Sequence, residues 1–89
     1  MKQQDITIQN IFGIHARPAA RFSRLASKFK CTVEIVKNHE TVNGKSILGV
    51  MSLAAEKGSV ITIRTSGADE DKAIYQLVDL LNKIFTEEE

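Results

Sequence analysis

His15, Arg17 and Pro18 fall within four positions of one another in "FGIHARPAARF", residues 12–22. An imidazole titrates near neutrality, so a useful fraction of it is an uncharged nucleophile there. A guanidinium two residues on offers a fork of donors to phosphoryl oxygens. Pro18 is the chain's only proline, and a helix tolerates proline in its first turn, where N–H groups lack intrahelical partners anyway. The stretch therefore reads as a helix start with an ionisable ring perched on it. Unpaired amides and the positive end of the dipole make such a start an anion site. Ala16, Ala19 and Ala20 leave the approach uncrowded. Pro18 stiffens the start while biasing Arg17 away from helical angles. A neutral imidazole flanked by an anion site can accept a phosphoryl group and hold it as a reactive phosphoramidate. No nearby carboxylate is placed to activate water, so the chemistry is that of a carrier. Outside such a setting, a lone histidine is an ordinary surface or capping residue.

The elements that must position these residues follow from the hydropathy periods. "DITIQ" alternates, with Ile6 and Ile8 on one face, and predicts a strand over 2–9. A helix over 16–28 carries Phe22, Leu25, Ala26 and Phe29 at i, i+3, i+4, i+7 spacing, with Arg17, Arg21, Arg24 and Lys28 as a basic ridge on another face. "CTVEIVK" (31–37) and "ETVN" (40–43) are strands joined by an Asn38-His39 turn. Gly44 breaks the chain, and Ser46, a preferred N-cap, precedes a short apolar helix over 47–53. Lys57-Gly58 turns into a strand over 59–65. Asp69 is the expected N-cap of a last helix over 70–85, which has Glu70 and Asp71 in its first turn and Ile74, Leu77, Val78, Leu81 and Phe85 along one side. The order β-α-β-β-α-β-α gives an α+β fold of two layers. Three amphipathic helices cover the apolar face of four strands, and the other face is left to solvent.

Composition agrees. With 89 residues, 43% of them hydrophobic, the chain is one domain, 1–89, with ample material for a core. One cysteine, Cys31, allows no internal disulfide, and no Cys/His cluster has zinc-ligand spacing, so a reducing, cytoplasmic setting is expected. "MKQQDITIQN" lacks the apolar run of a signal peptide, and no stretch is long enough to insert into a membrane. The net charge of +1 hides an asymmetry: residues 17–30 hold five basic residues and no acid, against "DED" at 69–71 and "EEE" at 87–89. A basic side of this kind fits an acidic partner surface or a phosphate, and by itself it equally fits a solvated helix face. Ile47, Leu48 and Met51 are more apolar residues than one inward stripe of a short helix needs. They are expected to form an exposed patch rimmed by Arg17, Arg21 and Arg24.

"GIHARPAA" followed by "KSILGVMSLAA" resembles HPr, the histidine-containing phosphocarrier family of the bacterial phosphoenolpyruvate-dependent sugar phosphotransferase system, over nearly the whole chain. The resemblance implies an open-faced β-sandwich whose four-stranded antiparallel sheet has the order 1-4-2-3. It implies that enzyme I places a phosphoryl group on Nδ1 of His15, with Arg17 stabilising it and Ala16 and Pro18 forming the helix start. IIA proteins or domains of sugar permeases would then receive it. Ser46 would be the target of an ATP-dependent HPr kinase/phosphorylase, with a catabolite-control transcription regulator as a further partner. Ala20, Arg21, Arg24, Ile47, Leu48 and Met51 would form the partner surface. A monomer is the default expectation for a carrier that must dock several partners in turn, and no cofactor, no metal and no direct contact with nucleic acid are expected.

Four positions depart from the pattern or call for separate comment. Phe12 replaces a small polar residue, and a bulky ring there would shield His15 or alter partner choice. His39 stands where glycine is frequent and reads as an exposed turn residue. Ala54 replaces a common glycine, which predicts a more regular end to the second helix. Cys31 reads as a small apolar filler at a strand start. Three other functions compete with sugar transport. A regulatory HPr of a shortened relay is not separable by sequence. An RNA-binding module would need aromatic residues on its strands, and the four strands have none. A hydrolase would need a partnered nucleophile that the sequence does not offer.

Overall fold

The computed structural model describes residues 1–87; of the expected "EEE" end, Glu88 and Glu89 lie outside the described residues. In chain order the elements are β1 (Lys2–Thr7), α1 (Ala16–Ala26), β2 (Thr32–Lys37), β3 (Glu40–Asn43), α2 (Ile47–Ser52), β4 (Val60–Ser66) and α3 (Glu70–Glu87). The sheet runs β1-β4-β2-β3, every neighbouring pair antiparallel.

Register explains the two layers. Side chains alternate across a strand, and the pairs Ile6↔Ile61, Ile35↔Ile63, Val33↔Thr65 and Ile35↔Val42 place apolar residues of all four strands on one face. Phe22, Ala26, Val50, Leu77, Leu81 and Ile84 of the helices close over that face. The opposite face holds Gln3, Asp5, Glu34, Thr41, Thr62 and Arg64, with Thr62 donating to the Asp5 carboxylate (2.7 Å) and Arg64 pairing with Glu34 (3.5 Å). A phenyl-sized group, Phe22, fills the centre at full burial. At about 25 cal/mol per Å² of apolar surface, it contributes on the order of 2–3 kcal/mol.

The ends of the elements differ from the periodic reading. β1 stops at Thr7, although Ile8 is buried and its N–H still donates to Ser59 O (2.8 Å). α1 ends at Ala26, so Lys28 leaves the expected ridge, and Phe29 is buried from the turn that follows rather than from the helix. β2 and β4 each begin one residue later than expected, and α3 runs on to Glu87. Asn38 and His39, both at positive φ (49° and 70°), make the tight β2–β3 turn in which His39 is exposed.

Asp69 precedes α3 as expected, and its carbonyl accepts from Ala73 N (2.9 Å). Its carboxylate, however, reaches across to the Lys30 and Cys31 amides, 2.9 Å each, and so ties the end of the α1–β2 turn to the start of α3. The Lys30 amide above all, with that of Cys31, holds this carboxyl below its ordinary range. Burial pushes the neighbouring Cys31 thiol up, with Asp69 adding to the effect, so the group stays a protonated filler just ahead of β2.

Ala54 overturns the expectation of a more regular α2 end. It sits at φ 50° just past the C-cap Leu53, the left-handed position that glycine favours, and its N–H donates to Met51 O (3.1 Å). The Lys37 ammonium compensates, donating to Leu53 O (3.1 Å) and Ala54 O (3.3 Å). Left-handed angles cost an L-residue about 1–2 kcal/mol, part of which glycine gives back through its freer unfolded chain. Ala54→Gly is therefore expected to stabilise the fold by about 0.5–1 kcal/mol and raise Tm by about 2–6 °C. A melt showing no gain would mean that Lys37 already absorbs the strain.

Candidate functional site

The loop before α1 is built to present residue 15. Gly13 takes φ 65°, and a Cβ there would stand 2.2 Å from Ala55 O. That closeness lets Ile14 N–H donate to the same carbonyl (2.8 Å), which pins the loop to the chain beyond α2. Asn10, fully buried, donates from its side chain to Gly13 O (2.8 Å), while its own carbonyl accepts from Gly13 N (3.2 Å). His15 follows as the N-cap of α1. Its backbone is extended (φ −90°, ψ −166°), its carbonyl accepts from Ala19 N (3.0 Å), and its side chain makes no capping bond.

The imidazole is half-buried, and its two nitrogens are unequal. Nε2 is shut off from solvent with no hydrogen-bond partner, whereas Nδ1 is not enclosed in this way. Beside it, the Phe12 ring lies edge-on, with centroids 5.9 Å apart and planes at 80°, and is itself 72% exposed. Ala16 is the first helical residue and Arg17 the second, despite the proline that follows. Arg17 thus lies within the helix against the expected pre-proline bias, and Pro18 itself is tolerated because it sits in the first turn, where the residue four back, Ile14, is outside the helix and offers no helical carbonyl to the ring. The amides of Ala16 and Arg17 thus lack intrahelical acceptors, and Arg17 is exposed.

Further along α1, Arg17, Ala20, Arg21 and Arg24 surround a shallow depression of about 530 Å³ with Glu87 on its rim. Arg21 is not simply part of a basic ridge, because its guanidinium pairs with the Glu87 carboxylate at 3.1 Å. Pro18 and Ala19 are buried beneath. α1 packs against α2, so the short helix shares this side of the molecule. Its Ile47, Leu48 and Met51 are 41%, 79% and 39% exposed, an apolar patch as expected, while Val50 alone is buried. Ser46 caps α2: its Oγ accepts from Gly49 N (3.0 Å), and the residue is half-buried.

Sequence reasoning missed the clamp made by Asn10, Gly13 and Ala55. The only signal for it was an Asn three residues before a Gly, directly ahead of the candidate nucleophile. No group of His, Cys, Asp and Glu suited to a metal ion occurs among the described residues.

The family model for the PTS HPr component phosphorylation site matches residues 2–83. The chain belongs to the HPr family. As an HPr protein it is a phosphocarrier of the phosphotransferase system and not a catalyst. The phosphocarrier protein HPr of Neisseria meningitidis is 51% identical over 89 residues, spanning all of both chains. That of Pseudomonas aeruginosa is 46% identical over 90 residues, again spanning both. Among solved structures, HPr-C-His from Thermoanaerobacter tengcongensis superposes with a TM-score of 0.93 at 46% identity over both full chains. Crh from Bacillus subtilis, described as a domain-swapped dimer, gives 0.75 at 37% identity, covering 93% of this chain and 95% of that one. The HPr fold expected from the sequence, with its 1-4-2-3 sheet and three helices, is the fold found. No helix among the described residues is long and apolar enough to cross a membrane.

Proposed function

We propose that His15 Nδ1 takes the phosphoryl group from phospho-enzyme I and delivers it to IIA proteins or domains of sugar permeases. In the first step a bond forms from Nδ1 to phosphorus as the donor's bond to phosphorus breaks; in the second the nitrogen–phosphorus bond breaks as the acceptor attacks. The single observation that carries this reading is the state of the ring at the head of α1: Nε2 is enclosed without a partner, which leaves Nδ1 as the nitrogen to offer a donor. Arg17 and the first-turn amides are the stabilising groups. The exposed Ile47, Leu48 and Met51, with Arg17, Arg21 and Arg24 alongside, suit partners that present an apolar centre ringed by acids. Incubation with phosphoenolpyruvate and enzyme I, followed by intact mass, tests it. One acid-labile phosphate per chain is the expected product, and an unmodified mass sinks the reading. A relay that regulates without feeding a permease uses the same chemistry, and transfer to a IIA domain separates the two.

The same reading makes Ser46 a regulatory site for an ATP-dependent HPr kinase/phosphorylase, with a catabolite-control transcription regulator reading the result. A phosphate there adds about −1.5 to −2 charges on the side that partners use. Ser46→Asp keeps an N-cap acceptor and is expected to lower the efficiency of phosphoryl acceptance from enzyme I roughly 10–100-fold, by setting like charges against an acidic partner. The loss should shrink as salt rises. An unreduced rate in the variant counts against the regulatory role. We infer a cytoplasmic monomer, since one docking side must be free for several partners in turn. Light scattering that returned twice the mass of one chain would replace this with a dimer.

A further inference from the structure

We propose that Phe12 is a positioning residue that holds the His15 imidazole with Nδ1 outward. The proposal rests on the reading of His15 as the phosphoryl acceptor. Three observations carry it. Phe12 is 72% exposed and takes no part in the core, so burial does not account for a phenyl ring at this position. Its one aromatic contact is the edge-on meeting with His15, at 5.9 Å and 80°. And no hydrogen bond orients the ring from its enclosed side or as a helix cap: Nε2 is enclosed without a partner, and the side chain makes no capping bond.

An imidazole without such a bond turns about its Cβ–Cγ bond in a broad, roughly two-fold well. A half-turn would bring Cδ2 to the place that Nδ1 occupies and leave no nucleophile facing a donor. The quadrupole of a neighbouring ring favours one edge-to-face arrangement over others, and so biases that rotation. The phenyl does this from a fixed base, since Gly13 beside it is clamped through both its N–H and its C=O by Asn10. Phe12 therefore replaces with an edge-to-face ring contact the orienting hydrogen bond that nucleophilic histidines commonly have. Its effect falls on the fraction of encounters in which the acceptor nitrogen is aligned, and thus on turnover more than on binding.

The test uses the wild-type chain with Phe12→Leu and Phe12→Tyr. Proton NMR reads ring-current displacement of the His15 C–H resonances, and initial rates with enzyme I and phosphoenolpyruvate give kcat and KM for each chain as substrate. Phe12→Leu should abolish the displacement and lower kcat about three- to tenfold, with KM within twofold. Phe12→Tyr should restore both. A Leu variant that changes KM and leaves kcat alone overturns the proposal and makes Phe12 a partner contact. A Tyr variant as impaired as the Leu variant also overturns it, because an aromatic edge would then not be what matters. If the wild type accepts no phosphate, the acceptor reading fails. The ring-current comparison still decides whether Phe12 holds the imidazole.

Discussion

His15→Ala is expected to remain fully unmodified after incubation with phosphoenolpyruvate and enzyme I, a loss of at least about a thousandfold in incorporated phosphate. The substitution removes the nucleophile and little else. The side chain makes no capping bond, and the bond that starts α1 uses the His15 carbonyl, which alanine keeps. The stability cost should therefore stay within about 1 kcal/mol, so a folded, unreactive chain is the anticipated species. Intact mass in neutral buffer, with a thermal melt beside it, checks both halves. His39→Ala is the internal control: that ring stands exposed in the β2–β3 turn and should leave incorporation untouched. Phosphate appearing on the His15→Ala chain under the same conditions would move the acceptor elsewhere and end the present account of the site.

Gly13→Ala should be the most damaging of small substitutions. The added methyl meets the Ala55 carbonyl oxygen at 2.2 Å and the Glu56 Cα at 2.7 Å, both backbone atoms that no rotamer change can move aside. It also forces an L-residue to hold φ 65°. Left-handed strain of about 1–2 kcal/mol and overpacking of about 1–3 kcal/mol act together, which corresponds to a fall in Tm on the order of 10–25 °C. The same clash separates Ile14 N–H from its acceptor, so His15 loses its fixed base and phosphate uptake by the folded fraction should fall as well. A melt within about 3 °C of the parent would show that the loop and the Ala55 segment part without cost, and that the clamp is not what positions His15.

How much could be read from the chain depended on distance along it. His15, Arg17 and Pro18 are neighbours, and the helix start that joins them is a local matter, legible from residue types alone. The sheet was legible because Ile6, Val33, Ile35, Ile61 and Ile63 alternate with polar residues. The end of α1 was not: Phe29 continues the i+7 spacing yet packs from a turn, and both arrangements bury the same ring. Asp69 illustrates the harder limit. Cap residue and cross-chain tie call for the same carboxylate, and only the folded proximity of Lys30 and Cys31, 38 to 39 residues away, decides between them. Lys37 under the end of α2, Arg21 against Glu87 and Ala55 against Gly13 are likewise products of folding that no local pattern announces.

The uncovered sheet face, lined by Gln3, Asp5, Glu34, Thr62 and Arg64 and knit by its own polar pairs, leaves the molecule one-sided. The exposed Ile47, Leu48 and Met51 of α2 and the basic residues of α1 lie in the helical layer instead. On the proposed relay, donor and acceptor would compete for that single berth, and no ternary assembly would shorten the journey between them. On that reading the chain would work as a ferry, not a bridge: each handover would end in departure, and flux through the relay would depend on how quickly either partner lets go. An engineered partner that gripped this side a thousandfold more tightly would not hasten transport. It would strand the cargo.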